Sequence, residues 1–209
     1  MNTIRQLQWR YATKKFDPNK TLAPEKLNIL KEAFNLTATS YGLQTISMVV
    51  VQDPGLREQL VPHAYNQKQV LHASHLLVIC IQKEIDAQDV VDFFNNIKDT
   101  RNTAETILKP YRENLIQTIE KQSVKEQQQW STNQAYIALG NLMTVCAVEN
   151  IDSCPMEGFN PEKFDELLKL GERGLKSVLL LPVGYRADDD MFSDFKKVRK
   201  PIHETIIEM

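Results

Sequence analysis

Arg10-Tyr11-Ala12-Thr13-Lys14-Lys15-Phe16-Asp17 sets three cations and two aromatic rings within eight residues near the N-terminus. A second compact basic run, Lys196-Lys197-Val198-Arg199-Lys200-Pro201, stands near the other end. A phosphate-bearing ligand is held by several cations and backbone N–H groups, and Arg can grip it bidentately. Two such clusters at opposite ends of a chain can meet at one anion. The bland alternative is that each is a solvated surface run, the usual fate of charge runs. Which of the two holds depends on what lies between them.

The chain between is that of an ordinary globular protein. Its 209 residues fit a single domain, 1–209, long enough to bury a substantial core without disulfides. It is 42% hydrophobic and 25% charged with a net charge of −2, which argues against a nucleic-acid binder driven by bulk charge. No apolar run approaches the roughly 20 residues of a membrane span. The N-terminus, Met1-Asn2-Thr3-Ile4-Arg5-Gln6, has no apolar signal-type segment. Cys80, Cys146 and Cys154 lack CxxC spacing and sit mostly in apolar company, so they read as buried thiols of a reducing compartment. The expectation is a cytoplasmic protein with no membrane and no nucleic-acid partner.

Working outward from the first cluster, Ala23-Pro24-Glu25 reads as a helix start, since Pro is tolerated at the first position and Glu complements the dipole. Leu27, Leu30, Ala33 and Phe34 then recur at helical spacing, and the pattern fails over residues 35–40. Residues 44–52 read as a strand apolar on both faces, which suggests cover on both sides. Asp53-Pro54-Gly55 closes it with turn chemistry, and a short helix follows. Residues 73–81 give a second, almost wholly apolar strand. Residues 86–98 and 103–121 read as two less buried amphipathic helices. The strongest helix signal is 127–149, apolar around most of its circumference, as expected of a central helix or an oligomer interface. An extended link over 151–158, a short helix from Pro161, and a third strong strand over 176–185 follow. A charged loop at 186–190 and an edge strand at 204–208 complete the reading. The fold class is α+β.

Several common chemistries have no motif here. There is no GxGxxG after a strand, no GxxxxGK[ST], no HExxH and no GxSxG elbow. His63, His72, His75 and His203 have no Cys partner or ligand spacing, so no metal site is expected. His75 reads as a satisfied histidine beside a buried strand, and Phe93-Phe94 as core packing. What remains are polar islands bounding the core elements: residues 10–14, Thr37-Ala38-Thr39-Ser40-Tyr41-Gly42, Asn66-Gln67-Lys68-Gln69, Pro155-Met156-Glu157-Gly158, and Lys197 with Arg199.

Five of these features, in this order and spacing, resemble the nitroreductase family of FMN-dependent NAD(P)H oxidoreductases. They are Arg-x-x-x-Lys at Arg10, Ser-Tyr-Gly-Leu-Gln entering the first strand, Asn66 upstream of Ala73-Ser74-His75, Pro-Met-Glu-Gly-Phe after the central helix, and a closing Lys-x-Arg-x-Pro. The resemblance runs from about residue 10 to the C-terminus and is greatest to the oxygen-insensitive nitroreductase and dihydropteridine-reductase branch. It implies an α+β, nitroreductase-like FMN-binding fold with a central, mainly antiparallel sheet flanked by helices, in an intertwined homodimer. Arg10, Lys197 and Arg199 would hold the FMN phosphate, with Tyr11 beside them and backbone from Ala12. Lys14, Asn66 and Gln69 would meet the pyrimidine edge of the flavin, with Lys14 tuning its electronics. Thr39, Ser40 and Gly42 would come from the partner subunit, and Tyr41 would touch substrate. Pro155, Met156, Glu157 and Gly158 would line the ring. No protein residue is expected to act as nucleophile or acid–base catalyst, because the flavin carries the chemistry. The implied activity is ping-pong hydride transfer from NADH or NADPH to a small-molecule oxidant such as a nitroaromatic or quinone. The same scaffold serves a dihydropteridine or enone reductase, or a non-catalytic flavin-binding protein. Thr39, Gly42, Gln69 and Thr45-Ile46 depart from the residues usual in the family.

Overall fold

The computed structural model describes residues 2–209. In chain order they form α1 (Thr3–Trp9), α2 (Pro24–Asn35), β1 (Ile46–Val51), α3 (Pro54–Leu60), α4 (Gln69–His72), β2 (His75–Gln82), α5 (Ala87–Arg101), α6 (Glu105–Glu120), α7 (Val124–Val148), β3 (Asp152–Ser153), α8 (Pro161–Leu167), β4 (Leu175–Gly184) and α9 (Ile202–Thr205).

The four strands form one sheet in the order β1-β2-β4-β3, with every pairing antiparallel. Strand periodicity divides β2 between two cores. Leu76, Val78 and Cys80 pack with Leu60, Val70, Phe164 and Leu180 on the side of α3, α4 and α8. Leu77, Ile79 and Ile81 pack with Leu27 and Leu30 of α2 and with Ala135, Leu142 and Cys146 of α7. Each such buried aliphatic side chain contributes roughly 1.5–3 kcal/mol. The continuous apolar runs of β2 and β4 are therefore explained by helices on both faces. A third, smaller cluster joins α5 and α6 through Val90, Phe94, Leu108, Leu115 and Ile119, with Phe93 packed against it.

β1 behaves differently from its apolar sequence. It is an edge strand, buried at Ile46 and Val51 and half-exposed between them. A groove of about 590 Å³ runs along it, bordered by Leu56, Leu167, Leu168, Lys169 and Arg173. Between β2 and β4 the register shifts after Ile79, which faces Leu179, while Cys80 faces Ser177. At this bulge Ser177 donates from both its N–H (2.8 Å) and its hydroxyl (2.6 Å) to Asp165, so an α8 carboxylate takes over from the interrupted ladder.

Three boundaries differ from the sequence reading. α7 begins at Val124, one turn early, because Ser123 and Glu126 form a reciprocal capping box. α1 has no buried residue and hence no apolar period to announce it; Asn2 caps it by accepting from the Arg5 N–H at 3.1 Å. The edge strand expected at 204–208 is absent: Ile202–Thr205 is helical, and residues 206–209 are exposed and in no strand ladder among the described residues. A strand exists only by its ladder partner, and this segment has none in its own chain. The fourth strand is β3, in the stretch read as an extended link, where Asp152 and Ser153 find Gly184 and Val183.

Candidate functional site: a cationic cleft at the end of the sheet

Residues 10–17 leave α1 in extended conformation and cross the end of β3 and β4. Ala12 lies beside Ser153, whose carbonyl accepts from Thr13 N–H at 3.2 Å. Phe16 lies opposite Arg186 and fills the core, and the Asp17 N–H reaches Tyr185 O at 2.9 Å. Two charged devices hold this strip. The Arg186 guanidinium lies 4.5 Å from the Trp9 ring centre and 4.6 Å from that of Tyr11, and donates through Nε to buried Asp152 at 2.8 Å. Asp190 accepts from the Tyr11 hydroxyl at 2.7 Å and from the Lys14 and Lys15 N–H groups at 3.0 Å each. Burial alone would raise the Asp190 pKa, but these donors and the Phe192 N–H outweigh it and hold the carboxyl below its ordinary range. Burial, then donation to Asp190, pushes the Tyr11 phenol upward.

The strip forms one wall of a cleft of about 480 Å³. Arg10, Tyr11, Ala12 and Lys14 face Phe192, Phe195, Lys196, Lys197 and Arg199 across it, with Met143 of α7 and Pro155 also lining it. The two basic runs thus do meet. Burial, then Arg199, lowers the Arg10 pKa. Burial, then Arg10 and Arg199, lowers that of Lys197. Arg10 Nε is buried without a hydrogen-bond partner, and among the described residues no carboxylate pairs with Arg10, Lys14, Lys197 or Arg199. Like charges gathered around an orphaned donor fit a multiply charged anion such as a phosphate group. The larger groove beside β1 has no comparable charge cluster.

The remaining islands fall in two places. Met156 is fixed to β4, exchanging N–H···O bonds of 2.9 and 3.0 Å with Leu180. Glu157 accepts from the Tyr136 hydroxyl at 2.6 Å, and Gly158 O accepts from Gln67 Nε2 at 2.9 Å. The 155–158 stretch is therefore stitched to the loop carrying Asn66, which takes a left-handed φ of 59° and leads to buried Gln69 at the start of α4. A Cβ at Gly158 would stand 3.2 Å from Gln67 Nε2, so this contact needs glycine or a shifted Gln67. In contrast, Thr39, Ser40, Tyr41 and Gly42 do not line the cleft of their own chain. They form a tight turn on α7, where Ser40 N–H donates to Gln134 at 2.9 Å and Tyr41 lies 6.1 Å from Trp130. Asp190, Arg186, Asp152, Met143, Phe192 and Phe195 were not singled out in the sequence, and Gln67 stood only within the 66–69 island. Asp190 stood in a run of three aspartates with nothing to single it out.

The α+β fold carries a cationic cleft at the end of its sheet, and comparison with known proteins places the chain in a family. Residues 7–185 match the nitroreductase family. A Staphylococcus epidermidis protein named "Putative NAD(P)H nitroreductase" is 32% identical over 203 residues, covering 89% of this chain and 88% of its own. "Putative NAD(P)H nitroreductase YfkO" of Bacillus subtilis is 32% identical over 194 residues, covering 87% of each chain. Among solved structures, ydfN of Bacillus subtilis superposes with a TM-score of 0.87 at 20% identity, over 99% of this chain and 98% of that one. An Exiguobacterium sibiricum protein solved in complex with FMN gives 0.85 at 16% identity, over 100% and 98%. The chain belongs to the nitroreductase family and is an oxidoreductase. Among the described residues no helix is long and apolar enough to cross a membrane.

Proposed function

We propose that this chain is an FMN-dependent NAD(P)H oxidoreductase that reduces nitroaromatics, quinones or similar small oxidants by ping-pong hydride transfer. The observation that carries the reading is the cleft where Arg10, Lys197 and Arg199 converge with no carboxylate paired to them among the described residues. In this reading the three cations hold the FMN phosphate, and Ala12 lends backbone. Lys14, Asn66 and Gln69 take the pyrimidine edge of the ring. The bound flavin supplies the two-electron chemistry; the chain binds, orients and excludes water. Pro155, Met156, Glu157 and Gly158 line the ring. The Met156 N–H is already engaged by Leu180, so the Glu157 and Gly158 amides are the donors left for the flavin N5 and O4 edge.

The reading includes a homodimer in which Thr39, Ser40 and Gly42 complete the neighbouring cleft and Tyr41 touches substrate. Three features support it. The turn lies outside its own cleft, α7 exposes Tyr136 and Ile137, and β1 keeps a free edge while the C-terminal segment is unpaired. Residues 1–209 act as one domain, since the N-terminal strip pairs with residues on both sides of β4 and Lys197 donates to Gln8 O at 2.6 Å. Three free, buried thiols agree with a cytoplasmic setting.

The test is the visible spectrum of purified protein, followed anaerobically on addition of NADH and then NADPH. A flavin band that bleaches is the expected result. A band that persists with both would leave a flavin-binding protein without this reductase activity. No band after FMN is added back would overturn the reading.

A further inference from the structure

The run Asp188-Asp189-Asp190 places three identical side chains in one loop, and the fold treats them unequally. The Asp188 side chain is fully exposed and pairs loosely with Lys20 at 3.6 Å; Asp189 pairs with Lys15 on the surface. Asp190 is only 3% exposed. Its carboxylate meets donors from two segments rather than a cationic side chain. One oxygen accepts from the Tyr11 hydroxyl and the Lys14 and Lys15 N–H groups, all on the strip that carries Arg10. The other accepts from the Phe192 N–H at 3.2 Å, on the segment that leads to Lys197 and Arg199. A buried carboxylate satisfied on both oxygens by neutral donors is a fixed joint, because removing it strands several donors at once.

We propose that Asp190 is the positioning residue that joins the two basic runs at the anion cleft, keeping Arg10 and Lys14 in register with Lys197 and Arg199. This rests on the flavin reading of that cleft. Asp190 touches no part of the anion's place itself; it acts through the segments it ties. The lowered pKa of its carboxyl and the raised pKa of Tyr11 agree with a strong hydrogen-bonded joint.

The isosteric variant Asp190→Asn separates this role from packing. With Nδ2 on the strip side the amide opposes the Tyr11, Lys14 and Lys15 donors, and with Nδ2 on the Phe192 side it offers the strip only a neutral oxygen, so either orientation weakens the joint while the volume is kept. Affinities for FMN and for riboflavin, which lacks the phosphate, are measured on the full-length protein by flavin fluorescence. The expected result is that Asp190→Asn shrinks the preference for FMN over riboflavin by about tenfold or more, while the neighbouring Asp188→Asn keeps it. An unchanged preference in an Asp190→Asn protein that melts like wild type overturns the proposal. Should Asp190→Asn not fold, Tyr11→Phe removes one donor and leaves the carboxylate; a reduced preference supports the joint and an unchanged one overturns it. Wild-type protein that binds neither flavin refutes the flavin reading separately. The joint is then judged by hydrogen exchange of the Lys14 and Lys15 amides that Asp190 holds: faster exchange in Asp190→Asn supports it, and unchanged exchange overturns it.

Discussion

Lys14 shows what a single residue contributes in this cleft. Its N–H is tied to Asp190, which fixes the backbone, and its side chain lines the cleft where the proposed flavin would bind. A cation beside the pyrimidine edge favours the reduced, more negative flavin. Lys14→Ala is therefore expected to lower the two-electron reduction potential by on the order of tens of millivolts, about 30 mV for each ~1.4 kcal/mol lost. A dye-equilibration titration giving the wild-type potential would remove Lys14 from that role. His75 offers a second test. Burial, then Arg57 and Lys31, lowers its pKa, and its Nδ1 lies 2.8 Å from a Ser74 hydroxyl that itself accepts from Leu22 N–H. The native state thus keeps His75 neutral, whereas the unfolded chain takes up a proton near the ordinary value of about 6.5. Stability is full above that pH and falls as pH drops toward the depressed native value. Melting temperatures of His75→Gln measured from about pH 7 to 5 should fall less steeply than those of wild type.

Among the elements, α7 does most of the positioning. Its buried side supports the sheet, Gln134 holds the 40–42 turn, Tyr136 holds Glu157, and Met143 lines the cleft. The helix depends at its start on the Ser123–Glu126 box. Ser123→Ala is expected to cost about 1 kcal/mol, seen as a melting point roughly 2–4 °C lower, with flavin affinity unchanged since the cap is remote from the cleft. The Ser-x-x-Glu signal was present in the sequence, yet the apolar pattern begins only at Trp130, and reading by hydrophobic period sets the start at Gln127, one turn late. α1 was invisible for the same reason, since Ile4 and Leu7 remain exposed and impose no period.

At the scale of the whole molecule, large apolar side chains exposed on α7 and after α2 offer a surface for the proposed homodimer. Tyr136 and Ile137 on α7 and Leu36 after α2 stand in solvent, with Leu36 80% exposed. Large exposed apolar groups of this kind mark interaction surfaces. Sedimentation of the wild type is expected to show a dimer, and Ile137→Lys to shift it to monomer with loss of bound flavin. A monomeric wild type, or an Ile137→Lys protein that remains dimeric with full flavin content, would place the interface elsewhere or remove it.

The sequence alone determined the strands β1, β2 and β4, the helices with clear apolar period, and the two basic runs with their chemistry. Those properties are local: side-chain period, caps and charge are carried by neighbouring residues. Only the tertiary structure decided that β3 and not residues 204–208 completes the sheet, because a strand is defined by a partner distant in sequence. It alone decided that the two basic runs converge, since residues 10 and 197 meet only when the chain crosses the end of β4. And it alone chose Asp190 from three adjacent aspartates, because burial and four donors, not residue type, make that carboxylate different.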